Sequence, residues 1–392
     1  MALLCSGCAT TFDAASPAGS VHASNAFGFD LFDRIRSQAP TSNVACSPAG
    51  ASIALMMTAA GAQSATRDEM LRVLHVEPGD LTDVHRSYAA LLASVNESKG
   101  DSKLVVVDKL WGQEEFEFKS DFVALLRDLY RAPLGTVDFM GAPATATRNI
   151  NQWASDQTHG LIPQIFDSLS EDTRLVLTNA VYLDGHWTKP FHAGGTHQAR
   201  FVTPAGTVEV PTMVQVDSFA YAHLDDVKIV ELAYSGHLSM VVVLPDAVHG
   251  LGRAEDRLAQ SHDRWLTALA TSKVDLRLPR WTTDSSFNLN GLLQAMGIKL
   301  AFEKESADFS AMADRRLAIS HVLQKARVET QEEGSRAAAV TVVDLAMNEA
   351  ATSGPEPLHP IPFHADHPFL YLIRDRTTGL ILFAGHVTDP RS

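Results

Sequence analysis

Helical patterns gather in the first part of this chain and strand patterns after about residue 170, which predicts an α+β fold with large mixed or antiparallel sheets. Two further observations support that reading. At 392 residues and 45% hydrophobic content, the chain has material for one large domain or two ordinary ones. Only one compositional break, at residues 349–362, interrupts it, and that break lies too late to separate two domains.

The elements follow in order. Residues 1–20 read as a tail. Within it, Met1 to Ala9 resembles a trimmed export or lipoprotein signal ending in Cys, although the basic start is absent. This leans towards a secreted, periplasmic or cell-surface protein. Residues 21–392 read as a single domain. Phe27, Leu31, Phe32 and Ile35 recur at helical spacing after a capping candidate, Ser24. Thr66-x-x-Glu69 is a capping-box pattern ahead of Met70, Leu71, Val73 and Leu74. Tyr88, Leu91, Leu92 and Val95 mark another helix, and Phe122, Leu125, Leu126 and Leu129 one more. Short apolar runs at 104–107, 175–177 and 239–245 read as strands buried on both faces. Val208 and Val210 alternate with polar neighbours, as in a half-exposed strand.

Residues 349–362 carry four prolines and one glycine, an extended connector kept from joining a sheet. Phe369 to Phe383 then form two apolar runs around a turn at Arg374 to Gly379, a hairpin. A lone hairpin does not fold by itself, so the connector is a surface loop whose ends return to one domain.

Charge and motifs exclude several functions. With 46 acidic against 32 basic residues the formal charge is −14, and no basic stripe suits nucleic acid. No run approaches the roughly 18 apolar residues of a membrane span. No G-x-S-x-G elbow, H-E-x-x-H or phosphate-cradling loop occurs. Gly250-Leu251-Gly252 lacks the third glycine of a dinucleotide site and reads as a turn. Cys5-x-x-Cys8 lacks a partner set for zinc, and Cys46 sits in an apolar stretch. No cofactor or metal is expected.

Residues 332–347 carry the functional signal. By strand parity, Ser335, Ala337, Ala339, Thr341, Val343, Leu345 and Met347 form one small or apolar face. Arg336, Ala338, Val340, Val342 and Asp344 form the other, which holds both charges. Gly334 supplies a backbone pivot between this segment and the strand-like run 324–330. The pattern suits a segment able to be either loop or inserted strand. An ordinary edge strand, or a helical alanine run, fits the parity as well.

Motifs along nearly the whole chain resemble those of the serpin family. Asn43 to Pro48 with Leu55 and Gly61-Ala62 is similar to its N-x-x-x-S-P opening, and Asn179 to Trp187 with Phe191 to its N-A-x-Y-F-x-G-x-W segment. Met296-Gly297-Ile298 with Asp308-Phe309-Ser310 matches another segment. Glu332-Glu333-Gly334-Ser335 followed by Ala337-Ala338-Ala339 resembles the hinge, and Asp366 to Gly385 the C-terminal signature.

The resemblance implies three β-sheets, about nine helices, a five-stranded main sheet and an exposed reactive loop at about 334–362. It also implies an inhibitory, bacterial-like member. Such a protein is no enzyme but an irreversible suicide substrate of serine proteases: the loop is cleaved, the acyl-enzyme is trapped and the loop inserts as a strand. A non-inhibitory binding or chaperone protein of the same fold is the alternative. The implied partner is an elastase-, subtilisin- or chymotrypsin-like protease, or a papain-like cysteine protease, and the protein is expected to be a monomer.

Within this resemblance Gly334 is the pivot and Ser335 the first side chain to enter, and Ala337, Ala338, Ala339, Val340 and Thr341 must follow. Arg336 replaces the usual Glu on the outward face. Counting about seventeen residues from Glu332 reaches Asn348, with cleavage before Glu349; a shifted register selects Met347 or Ala350. Glu332 is expected to pair with Arg280 at the surface. At the sheet-opening point the family's Ser and His are replaced by Gly50 and Gln324, while Ser47 and Asn179 are retained. Gln324 is expected to bond Asn179.

Overall fold

Helix starts in this protein are set by residues other than those the local patterns single out. The computed structural model describes residues 14–97, 101–335 and 359–391. The first helix, α1 (Pro17–Gln38), begins within the expected tail, because Ser16 accepts a hydrogen bond from the Gly19 N–H at 3.1 Å and Pro17 fits the first turn. Ser24 is therefore not a cap. It lies inside α1, its hydroxyl 2.7 Å from that of Ser52. A short strand, β1 (Val44–Cys46), leads into α2 (Pro48–Ala59), of which every residue is buried.

In α3 (Ser64–Val73) the capping box does not form either, because the helix begins two residues before Thr66. Thr66 Oγ1 instead accepts from the Asp308 N–H at 3.0 Å, and the Glu69 carboxylate from the N–H groups of Lys299 and Leu300 at 2.7 and 2.8 Å. The pair pins a distant loop to the helix.

The next elements are α4 (Thr82–Val95), β2 (Lys103–Gln113), α5 (Ser120–Ala124), β3 (Gly135–Val137), α6 (Pro143–Gln157) and β4 (Leu175–His186). The helix expected around Phe122 and Leu129 is α5 followed by a π turn at Leu125–Leu129. Then come β5 (His197–Thr203), β6 (Gly206–Leu224), β7 (Val227–Ala233), β8 (Leu238–Pro245), α7 (Leu251–Thr267), β9 (Ala270–Pro279), β10 (Trp281–Asn288) and α8 (Asn290–Met296). The chain ends with β11 (His321–Thr330), β12 (Gly334–Ser335), β13 (Ile361–His364), β14 (Phe369–Asp375) and β15 (Ile381–Val387). Eight α-helices occur among the described residues, and none is long and apolar enough to cross a membrane.

The strands form two sheets by hydrogen bonding. One runs β1-β15-β14-β8-β7-β6-β9-β13, with β5 also on β6. What the resemblance implies as two separate sheets is joined here because the 19-residue β6 is long enough to pair with β5, β9 and β7 along its length. The other is the main sheet, β10-β11-β4-β2-β3, five strands with the two-residue β12 added on β4. The C-terminal hairpin sits inside the larger sheet, β14 pairing with β8 as well as β15, which is why it needs no domain of its own. Its turn residue Gly379 has φ +80°, and Asn25 of α1 bonds the turn on both sides.

The connector behaves differently from expectation at its end. Ile361 and Pro362 belong to β13, which pairs in parallel with β9. Proline is tolerated there because β13 is an edge strand, where its missing N–H breaks no ladder. Cys46 is buried in the main core and its thiol is pushed up to about 12 by desolvation, so it acts as a core residue.

At the junction of β1 and β15, a Cβ on Gly385 would lie 2.3 Å from the Val44 carbonyl oxygen and 2.6 Å from the Tyr371 ring. Gly385→Ala is expected to cost about 1–3 kcal/mol by overpacking. A fall of several degrees in the melting temperature of the intact protein checks it; an unchanged melting point refutes it.

Candidate functional site

Among the main-sheet junctions, β4 and β11 are joined in parallel while their other neighbours, β2 and β10, run antiparallel to them. Their ladder extends from His321↔Val176 to Arg327↔Tyr182 and then stops, although both strands continue upward. A strand entering this seam from the top would run antiparallel to both walls, turning one parallel pairing into two antiparallel ones. Parallel pairing is slightly the weaker per residue.

The middle of the seam is held by a buried polar cluster. Gln324 of β11 donates from Nε2 to the Ser47 carbonyl and to Asn179 Oδ1, both at 2.8 Å, and its Oε1 accepts from the Ser47 N–H at 3.0 Å. The expected Gln324–Asn179 bond is thus present. Ser47 Oγ caps α2 by accepting from the Gly50 N–H at 3.2 Å. Gly50 also makes room for Asn179: a Cβ there would fall 2.2 Å from Nδ2. Asn179 Nδ2 in turn donates to Asp108 Oδ1 at 2.6 Å. Asp108 on β2 is buried, its Oδ2 has no hydrogen-bond partner among the described residues, and desolvation pushes its carboxyl up to about 8 against the lowering effect of Asn179. The motif reading missed it, although alternation along 104–110 would have placed a lone acid on the apolar face.

The top of the seam holds the hinge. After β11 the chain turns tightly, Gln331 bridging to Gly334, and Gly334 and Ser335 pair antiparallel with His186 and Gly185 of β4. Gly334 is required here. Its φ is +153°, and a Cβ would fall 1.7 Å from the Gly185 carbonyl oxygen. Ser335 is fully buried, its hydroxyl 2.6 Å from that of Tyr234. Tyr234 stacks on Trp187 at 4.2 Å, and Trp187 Nε1 donates to the Gln331 carbonyl at 2.9 Å. The Glu333 and Glu332 carbonyls accept from Trp187 and Phe191 N–H groups at 2.8 Å. Tyr234 and Thr196 belong to no motif quoted from the sequence, and only the fold brings them here.

Glu332 does meet Arg280, but not as a surface pair: it is 6% exposed. Its carboxylate accepts from Arg280 Nε at 2.9 Å, from Arg280 Nη2 and from Thr196 Oγ1. Burial pushes this carboxyl up, but the bonds from Arg280 and Thr196 outweigh it and hold it below its ordinary range. Arg336, Ala337, Ala338, Ala339, Val340, Thr341, Met347, Asn348, Glu349 and Ala350 lie outside the described residues, as do Cys5 and Cys8.

Comparison with known proteins accounts for this arrangement. The family model "Serpin (serine protease inhibitor)" matches residues 22–390. The chain belongs to the serpin family. An uncharacterized serpin-like protein of Thermococcus kodakarensis is 37% identical over 95% of this chain and 86% of its own length. The leukocyte elastase inhibitor of Xenopus tropicalis is 34% identical over 93% of this chain and 97% of its own. Human thyroxine-binding globulin, solved in complex with its hormone, superposes with a TM-score of 0.86 at 27% identity, covering 96% of this chain and 100% of that one. For this serpin, the seam and the hinge turn together form the candidate site.

Two measurements probe it. A histidine at 324 has one donor and one acceptor, so Gln324→His loses one of the three bonds that Gln324 makes to Asn179 and Ser47. At roughly 1 kcal/mol per bond, polymerisation on heating should quicken about fivefold, and an unchanged rate on native gels removes the seam from control. Glu332 titrates below its unfolded value, so its stabilisation is complete above about pH 4.5 and disappears as pH falls through the folded value. Glu332→Gln should lower stability by about 1–2 kcal/mol at neutral pH, discounted for the half-exposed Arg280. The gap between the two proteins' melting points should narrow as pH falls below about 4.5, and a constant gap speaks against the lock.

Proposed function

We propose that this serpin is of the inhibitory type: an irreversible suicide-substrate inhibitor of serine proteases, acting through loop cleavage, acyl-enzyme trapping and strand insertion. The observation that carries the reading is the antiparallel pairing of Gly334 and Ser335 with β4 above a closed parallel seam. The hinge already has the direction and the position of a sixth strand. The family name and the leukocyte elastase inhibitor among its relatives support the same class of target.

The chemistry asked of this chain is small. A protease attacks the loop after Asn348, or after Met347 or Ala350 if the register shifts, and holds the new carboxyl end as an acyl-enzyme. The severed segment then feeds in behind Ser335, with Ala337, Ala339 and Thr341 facing inward and too small to obstruct. Insertion makes on the order of ten ladder hydrogen bonds at roughly 0.5–1.5 kcal/mol each. Intact protein is then kinetically held above a more stable state. An apolar-pocket protease of the elastase, subtilisin or chymotrypsin kind suits Met347 or Ala350; papain-like cysteine proteases form an equivalent acyl intermediate. The second reading, a binding protein on the same fold, draws on the likeness to thyroxine-binding globulin.

Mixing the protein with elastase, subtilisin or chymotrypsin should give an SDS-stable covalent band, and clipped protein should melt well above intact protein. Ser335→Arg should be cleaved at a similar rate without forming that band, because a guanidinium cannot be buried unpaired beside Tyr234. Cleavage without a band in the unmodified protein, and no gain in melting temperature, favours the binding protein instead.

A further inference from the structure

We propose that Asp108 is a proton-operated latch on the β4–β11 seam: neutral, it leaves the seam shut, and its ionisation drives the seam open. Asp108, Asn179 and Gln324 stand side by side on β2, β4 and β11 by register. Their bonds form one line ending at Ser47, the cap of α2. A change at Asp108 therefore acts on the Asn179 amide, whose oxygen accepts from Gln324 on the other side.

Among the described residues no cation bonds the Asp108 carboxylate, although Lys109, Arg86 and Arg131 line the cavity beside it. The α2 helix has no titratable residue, and its positive end is occupied by Ser47 and screened by Asn179. On β4 the only ionisable groups that could carry charge, Asp184 and His186, lie at the upper end, beyond Tyr182. On β2, Lys109 projects to the other face, its ammonium 4.4 Å from the Trp111 ring and 5.6 Å from that of Trp153. The short β3 brings none. From α4, Arg86 pairs with Asp83 at the surface, Tyr88 is a buried phenol, and His85 bonds the Tyr130 hydroxyl at 2.8 Å and is held neutral by burial, down to about 4. On β11, Lys325 and Arg327 turn outward to Asp284.

The sign follows. The closed sheet binds this proton more tightly than an opened, hydrated one, because Oδ2 has no donor until water reaches it. The closed state is therefore most favoured at low pH and loses ground as pH rises towards about 8, where the buried carboxyl ionises. Above that the effect levels off.

This rests on the seam as the point of loop entry but not on protease trapping, so the test uses no protease. Hydrogen exchange of the β4 and β11 seam amides is followed in the full chain and in Asp108→Asn, which keeps the shape and the acceptor. The ratio of opening in the unmodified protein to that in the variant should climb by up to tenfold per pH unit from about pH 6 to 8, then flatten. A ratio independent of pH overturns the latch. Should the variant not fold, the β14–β15 amides serve as the reference within one molecule: seam opening must rise with pH relative to theirs, and parallel profiles overturn the proposal equally. A missing covalent band with protease alongside a climbing ratio would reject inhibition and keep the latch.

Discussion

Everything in the main sheet depends on one parallel junction held by a single amide side chain. Gln324 satisfies both backbone groups of Ser47 and one end of Asn179, so it ties β11 to β4 and both to the start of α2. Apolar packing alone would close the seam more firmly, since buried polar networks gain little over well-packed hydrocarbon. A polar bridge has a different merit: its bonds are directional and can be exchanged for others when the strands move apart. Closure is thus specific without being permanent.

The two ends of the seam use different physics. Lower down, the members of the cluster are buried almost completely. At the top, Glu332 is buried but Arg280 is 44% exposed, so the lock there is partly open to water and salt. Between these two, the ladder of β4 and β11 is absent above Tyr182 and Arg327, and the hinge turn covers the opening. Trp187 and Tyr234 roof that turn by stacking, and the approach of Gly334 to Gly185 leaves no space for a side chain on the hinge pivot. In the proposed mechanism, entry would begin where backbone pairing has already been relinquished.

Much of this was readable in the residues. All three apolar runs are strands; those at 175–177 and 239–245 are buried on both faces as expected, whereas 104–107 alternates, with Val105 and Val107 only half-buried. Gln324, Asn179, Ser47 and Glu332 were identified through the family's motifs, Arg280 as the partner expected for Glu332, and Gly334 through its backbone freedom. What escaped was what local pattern cannot encode. Thr66 and Glu69 satisfy a capping spacing yet serve a loop more than two hundred residues away. Ser24 precedes an apolar period yet lies within a helix begun by Ser16. Tyr234 and Thr196 matter through contacts with distant segments of which their neighbours in sequence say nothing, whereas Asp108 was marked by alternation but not by any motif. Glu332 looked like a surface acid because charge suggests exposure, whereas its burial comes from the hinge turn folding it against Arg280 and Thr196.

The placement of Ser335 bears on how such a molecule can remain intact at all. Local preference does not oppose insertion: small and β-branched residues follow the pivot, and the strand direction is already set by the turn at Gln331–Gly334. Opposition must come from the seam itself, where each further residue inserted requires another rung of the β4–β11 ladder to break first. The uppermost rung, Arg327↔Tyr182, is three residues above Gln324↔Asn179. Insertion by a few residues therefore costs only backbone bonds that are remade at once, while passing Gln324 costs the whole buried cluster in one step. Under the proposed mechanism, a barrier located partway down, beyond a nearly level entry, would let an uncut loop hold its first residues in the sheet and still be stopped, and only a loop released from its far end could continue past it.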